Sequence, residues 1–115
     1  MANTFKNQIT TSIGTSGNDI YTAGTGVTAT VIGASIANKT NPAVAITISA
    51  FVFDASLGAN GTSAYLVKDA PIPAGGSLVL VGGDQKVVLE AGDKITVTSS
   101  ASASADAVIS VLEQS

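Results

Sequence analysis

The sequence predicts a single all-β domain, built as a sandwich or barrel of eight or nine short strands. Three observations carry this prediction. Runs rich in β-forming residues recur along all 115 residues and are separated by Gly, Pro, Asn, Asp and Ser, a spacing typical of sandwiches and barrels. The strong hydrophobic periodicities are of two residues, and no segment shows the 3.6-residue period of an amphipathic helix. A chain of this length also buries roughly two thirds of its unfolded surface, which is enough for one core.

Each strand is predicted from a β-rich run and the turn residues that bound it. The predicted strands are 6–13, 19–23, 27–37, 43–54, 62–68, 77–81, 86–89, 94–99 and 107–113. Residues 1–18 are interpreted as an N-terminal arm or first strand, and residues 19–115 as the sandwich domain. The Ser/Ala run at 99–105 is interpreted as a loop or wide bend, because the apolar segment that follows it is untypical of a disordered tail.

Glycine residues within and between these strands predict one bulge and two tight turns. The alternation of the third strand changes phase near Gly33, which predicts a bulge or bend at that position. The sequences PAGG at 73–76 and EAGD at 90–93 each precede a strand. In both, a glycine is predicted to take the positive φ that a tight turn requires.

The fourth strand shows the clearest alternation, and its phase identifies candidate interface residues. The stripe that is predicted to face the core consists of Val44, Ile46, Ile48, Ala50 and Val52. Phe51 and Phe53 have the opposite phase, so their rings either cap the rim of the domain or are buried against another chain. Phe5, an aromatic residue in a polar first segment, is predicted to dock on its own domain or on a neighbour. The interface candidates are therefore Phe5, Phe51 and Phe53.

The composition argues against an enzyme and against a nucleic-acid-binding protein. The chain has no His, Cys or Arg, so the commonest general base, the thiol nucleophile and the guanidinium anion clamp are all missing. No catalytic residue is predicted. The five lysines are spread along a chain of net charge −3, whereas nucleic-acid binding needs clustered positive charge. Charged residues make up 11% of the chain, against about 25% in ordinary domains, and such a surface suits packing against neighbours.

No metal, cofactor or membrane segment is expected either. Oxygen ligands for calcium are available from Asp84, Glu90 and Asp93, but the D-x-D-x-D spacing of a calcium loop is absent. Solvated turn carboxylates are the better interpretation. The apolar runs are far shorter than the ~20 residues of a membrane-spanning helix, and residues 1–4 do not resemble a secretory signal. The expectation is a soluble protein that is made in the cytoplasm.

Several segments of the chain resemble a known class of proteins. They read IYTAG at 20–24, TATVIG at 28–33, YLVKDAPIPAGGSL at 65–78, VVLEAGD at 87–93 and VISVLE at 108–113. Together they resemble small virion structural proteins of tailed phages, especially those of marine phages and cyanophages. The resemblance covers roughly residues 19–113, and the PAG and AGD corners within it also occur in many other β-sandwich proteins.

This resemblance implies an antiparallel β-sandwich, jelly-roll-like, that is made in an infected cell and incorporated into the virion. It implies no catalytic residues. The leading function is that of a capsid decoration, or cement, subunit that packs on the major capsid protein and on its own copies, with a trimer favoured. The alternatives are a neck or tail component of the virion, a module that binds host glycans, and a small hydrolase. The scarcity of aromatic residues counts against the glycan module.

Overall fold

The computed structural model describes residues 3–40, 44–82 and 86–115, and these residues form nine strands without a helix. The strands are β1 (Asn3–Ile13), β2 (Asn18–Thr22), β3 (Thr28–Asn38), β4 (Ile46–Asp54), β5 (Thr62–Ile72), β6 (Ser77–Val81), β7 (Val87–Leu89), β8 (Lys94–Ser99) and β9 (Ala105–Gln114). Every strand predicted from the sequence is present, with bounds that agree or differ by a few residues. No helix of the described residues is long and apolar enough to cross a membrane.

The strands form two antiparallel sheets that pack face to face. One sheet has the order β1-β9-β3-β6. On the side of β3 away from β9, β6 pairs with residues 34–37 of β3 and β7 pairs with residues 29–31. The other sheet has the order β2-β8-β4-β5. When β6 and β7 are counted as one interrupted strand, this is the strand order of a jelly roll. The predicted fold class, an antiparallel β-sandwich of jelly-roll type, is confirmed. The first strand, β1, pairs with β9 and so belongs to the first sheet.

Alternation along the strands places small and branched apolar side chains between the sheets. In β9 the inward residues are Ala105, Ala107, Ile109 and Val111, all of them buried. The inward stripe of β4 is Ile46, Ile48 and Ala50, and Val52 is partly buried against it. Val44 does not belong to this stripe: it precedes β4 and is 50% exposed. Residue 43, at the start of the predicted strand, lies outside the described residues.

The predicted bulge and turns lie where the sequence places them. The register between β3 and β9 shifts between Val31 and Gly33, and the side chain of Ile32 at this bulge is exposed. Gly75 and Gly92 have positive φ, at 75° and 88°. Each lies inside a turn closed by a backbone hydrogen bond across four residues. The loop after β8 is closed by a hydrogen bond between the buried hydroxyls of Ser99 and Ser104.

Two of the edge strands are long and differ in how they are protected against pairing with another chain. β5 carries three features that discourage such pairing, namely the charge of Lys68, an irregularity at Asp69 with a φ of 53°, and Pro71. In β1 the comparable features are the charge of Lys6 and a register irregularity between Thr10 and Ile13, where Ser12 has a φ of 58°. The edge at β1 contains no proline, so it is the less protected of the two.

Candidate assembly surfaces

The middle of the outer face of the first sheet has seven apolar and four uncharged polar side chains, and the register of the strands brings them together. Side chains that alternate with the buried residues of β9 point away from the core. Two rows cross the sheet on this outer side. One row is Phe5, Leu112, Thr30 and Val88, and the other is Ile9, Val108, Ser35 and Val79. Asn7, Ser110 and Ile32 lie between the rows. These eleven residues are called the apolar face below.

The large side chains of the apolar face are exposed together. Phe5 is 77% exposed, Val79 64%, Ile9 63% and Val88 58%. Val108, at the centre of the face on β9, is 44% exposed. The eleven side chains carry no charge, and the ion pair between Asp106 and Lys39 lies at one end of the face. Clustered apolar exposure of this kind marks an interaction surface, whereas single exposed apolar residues do not.

A surface depression lies beside Phe5 on the apolar face. Its lining residues are Phe5, Lys6, Asn7, Ile32, Ser110 and Val111. The depression exists partly because the β3 bulge displaces Ile32 from the regular register between β3 and β9. An exposed aromatic ring next to a depression is an arrangement that binding interfaces use for anchor residues.

The outer face of the second sheet, called the polar face below, has a different character. One row across it is Asp19, Thr96, Phe51 and Tyr65. The Thr96 hydroxyl donates a hydrogen bond to the Asp19 carboxylate at 2.8 Å. The Phe51 and Tyr65 rings meet edge to face, with their centroids 6.1 Å apart. Lys94 and Asp19 form an ion pair on the same face, with 3.4 Å between Nζ and Oδ2.

Phe53, also on the polar face, is covered by residues of its own chain. Lys94 Nζ lies 5.5 Å from the centroid of the ring, within the range of a cation–π interaction. Gly61, with a φ of 84°, lies so close on another side that a Cβ added there would overlap the ring. Phe51 and Phe53 are both only partly exposed. Their rings therefore have intramolecular partners, whereas Phe5 projects from the surface.

The three sequence-predicted candidates do not form one site. Phe5 lies on the apolar face, and Phe51 and Phe53 lie on the opposite side of the sandwich. Sequence reasoning missed the aliphatic members of the apolar face, above all Ile9, Val79 and Val108. A signal was present, because the strands that carry Val79 and Val108 have apolar residues in both phases of the alternation.

A cluster of turn carboxylates lies at one end of the second sheet. Ligand oxygens of Asp54, Glu90 and Asp93 lie within 4.8 Å of one another. Asp93 is 3% exposed, so its interpretation as a solvated turn carboxylate is wrong. Its two oxygens accept hydrogen bonds from the backbone N–H groups of Ala55 and Glu90, each at 3.0 Å. The buried carboxylate therefore joins two loops, and Asp84 lies outside the described residues.

One polar pair bridges the two sheets near the end that bears Phe5. The Tyr21 hydroxyl, on a buried side chain of β2, donates a hydrogen bond to the Glu113 carboxylate on β9. Burial, followed by this hydrogen bond and by the charge of Glu113, raises the pKa of Tyr21 well above its usual value. Lys6 Nζ lies 3.9 Å from the Glu113 carboxylate and completes the group.

Comparison with known proteins gives a structural likeness but no sequence family. No family model matches the sequence, and no curated protein matches it. A solved structure of a protein from Bacillus endospore appendages, which form a novel family of disulfide-linked pili, has a similar fold. The TM-score is 0.53 at 17% sequence identity, and the match covers 99% of this chain and 87% of that chain. At this identity the likeness concerns the fold.

Proposed function

We propose that this chain is a structural subunit that acts by packing against other protein chains in a regular assembly, and that it is not an enzyme. The uncharged apolar face is the observation that carries this proposal. Its exposed side chains have a free-energy cost in water that a protein contact removes, at about 25 cal/mol per Å² buried. The absence of His, Cys and Arg from the sequence also supports a role without catalysis.

The finer proposal follows from the resemblance to virion structural proteins of tailed phages. In this proposal the chain is a capsid decoration subunit, located on the virion, that packs on the major capsid protein and favours a trimer. A neck or tail component is the alternative within the same class. Nucleic acid and membrane are not among the proposed partners. A glycan-binding module is less favoured, because the chain contains two tyrosines, three phenylalanines and no tryptophan for stacking on sugars.

A filament subunit is a second candidate, favoured by the likeness to the endospore appendage protein. That protein belongs to a family of disulfide-linked pili. These 115 residues contain no cysteine, so any filament built from them would be held together without disulfides of their own. Apolar contact would then supply the stability that covalent links supply in the appendages.

Electron microscopy and light scattering of the purified chain test the general proposal. A structural subunit is expected to form regular assemblies larger than a dimer at tens of micromolar, or to bind undecorated phage capsids. A chain that forms no such assembly and binds no capsid, neck or tail protein would contradict the proposal. The finer versions differ in copy number and position in a cryo-EM map of the intact particle. Decoration predicts many copies over the shell, a neck or tail component predicts a ring at one vertex, and a filament subunit predicts helical assemblies without a capsid.

A further inference from the structure

We infer that the apolar face binds the apolar face of a second copy of this chain, so that two sandwiches pack sheet against sheet about a twofold axis. This inference rests on the general proposal of a packing subunit and names the surface and the partner. It predicts a twofold dimer as the smallest oligomer, in place of the trimer that the resemblance to virion proteins favours. Phe5 and its neighbouring depression are the anchor of the contact.

Charge and symmetry favour a second copy over a different partner. None of the eleven residues of the apolar face is charged, and its most exposed large apolar side chains are Phe5, Val79 and Ile9. Lys6, which lines the depression beside Phe5, has its charge balanced by Glu113 at 3.9 Å. A twofold contact uses the same patch on both subunits, so the patch has to complement itself. A neutral apolar surface meets that condition, because no like charges are brought together. A surface made mainly of Lys or Glu would not.

The size of the face limits how strong such a dimer can be. Four strands side by side span about 19 Å, and the five residues from Phe5 to Ile9 along β1 span about 17 Å. The flat area is therefore about 320 Å² per copy, and about 650 Å² for the two copies. Accessible area exceeds flat area because side chains project, and the contact lies at the small end of specific interfaces, for which ~1,000 Å² is typical. A contact of this size predicts a weak, reversible dimer, whose affinity depends on how well the Phe5 ring packs.

Phe5 and the depression beside it provide the reciprocal contact that a twofold dimer needs. The ring projects from edge strand β1, and the depression lies between β1 and the bulge of β3 at Ile32. In a twofold arrangement the Phe5 ring of each copy enters the depression of the other, so one type of contact occurs twice. Sheets that pack in this way lie about 10 Å apart with their strands inclined by about 30°.

Sedimentation equilibrium from about 1 to about 100 µM tests the inference with one disruptive variant and one matched control. Val108→Asp puts a carboxylate at the centre of the apolar face, and it is expected to weaken dimerisation at least 30-fold, which corresponds to ~2 kcal/mol. Tyr65→Asp, at a side chain that is 57% exposed on the polar face, is the control and is expected to leave dimerisation within about threefold. Circular dichroism establishes that each variant is folded.

A second variant keeps the test decisive if Val108→Asp does not fold. Ile9→Asp changes a side chain on edge strand β1 that is 63% exposed, so its effect on the fold is smaller and the same loss of dimer is expected. A short bismaleimide gives an independent readout, since the chain has no background cysteine. It is expected to cross-link Ser110→Cys, in the middle of the apolar face, but not Ser49→Cys on the polar face.

Several results would overturn the inference. They are a monomeric wild type, a trimer as the smallest oligomer, a dimer unaffected by both Val108→Asp and Ile9→Asp, and a dimer lost in Tyr65→Asp. The proposed function fails separately. A monomer that still binds undecorated capsids would overturn the twofold contact and leave the structural role intact. A dimer that forms no larger assembly and binds no virion protein would support the twofold contact and overturn the structural role.

Discussion

The two outer faces of the sandwich differ in how their large side chains are covered. On the polar face, Phe51 meets the Tyr65 ring and Phe53 lies against Gly61 and Lys94. On the apolar face, Phe5 and Val79 are more than half exposed. The comparison teaches that aromatic character alone does not predict whether a ring is covered by its own domain. The contacts that neighbouring strands and loops make with the ring decide whether it is covered.

The largest expected effect on stability tests whether Phe53 belongs to the fold. Gly61→Ala is expected to lower the free energy of unfolding by about 2–4 kcal/mol, because the residue has a φ of 84° and the new methyl group would overlap the Phe53 ring. Gly75→Ala is the matched control. Its φ is 75° with open space around the Cβ position, so a loss of about 1 kcal/mol is expected from backbone strain alone.

Urea denaturation of the two glycine variants measures the cost of crowding at Gly61, where the Phe53 ring is the nearest neighbour and the Asp54 carbonyl oxygen lies 3.1 Å from the Cβ position. Equal losses would mean that Phe53 moves aside freely, and the distinction between the two faces would then weaken.

Phe5→Ala provides the opposite comparison. It removes a ring that is 77% exposed, so the monomer should lose less than about 0.5 kcal/mol. Association is where that variant is expected to differ from the wild type.

The fold was largely predictable because its determinants are local in the sequence. Alternation gives the strands, Gly75 and Gly92 give the turns, and the phase change near Gly33 gives the bulge. The faces were not predictable to the same extent. Ile9 and Val79 share a face because strands distant in sequence are placed in one sheet by the register. Local patterns contain no information on that register.

The burial of Asp93 shows the same limit for polar residues. The EAGD turn and its glycine were predicted from local sequence. The Asp93 carboxylate, however, is buried because it accepts hydrogen bonds from Glu90 in its own turn and from Ala55 in the loop after β4. The second partner is 38 residues away. A long-range contact thus converts an ordinary turn residue into a structural one.

A smaller effect is expected when the carboxylate that joins these loops is changed. Asp93→Asn replaces one acceptor oxygen by an amide that cannot accept, which leaves a backbone N–H of Ala55 or Glu90 without its partner. The expected loss is about 1–3 kcal/mol in the free energy of unfolding. Glu90→Gln is the control at an exposed side chain, with an expected change below about 0.5 kcal/mol. Similar losses for both variants would mean that the cluster acts through its total charge.

Alkaline pH tests the buried pair between the sheets. Because the pKa of Tyr21 is raised in the folded state, the unfolded chain loses this proton first, and stability falls as pH rises above about 10. The slope due to this residue is up to about 1.4 kcal/mol per pH unit. Tyr21→Phe should lose about 1 kcal/mol at neutral pH and should show a shallower alkaline slope. Tyr65→Phe, at an exposed ring, should retain the wild-type slope.

The smallest expected effect concerns the ion pair at the end of the apolar face, where Lys39 Nζ lies 2.7 Å from the Asp106 carboxylate. The hydrogen bond from Lys39, aided by one from the backbone N–H of Ser12, lowers the pKa of Asp106. Because the pKa of Asp106 is lower in the folded state, its ionised carboxylate stabilises the fold at pH values above the unfolded pKa of about 3.9. This stabilisation is lost as pH falls through the pKa of the folded state. Both side chains are more than a third exposed, so Asp106→Asn should cost less than about 0.5 kcal/mol at neutral pH.

Because the charge of Asp106 lies outside the apolar face, dimerisation of Asp106→Asn should be unchanged. A variant that alters the dimer as strongly as Val108→Asp would extend the contact beyond the uncharged residues and would require charge complementarity between the two copies.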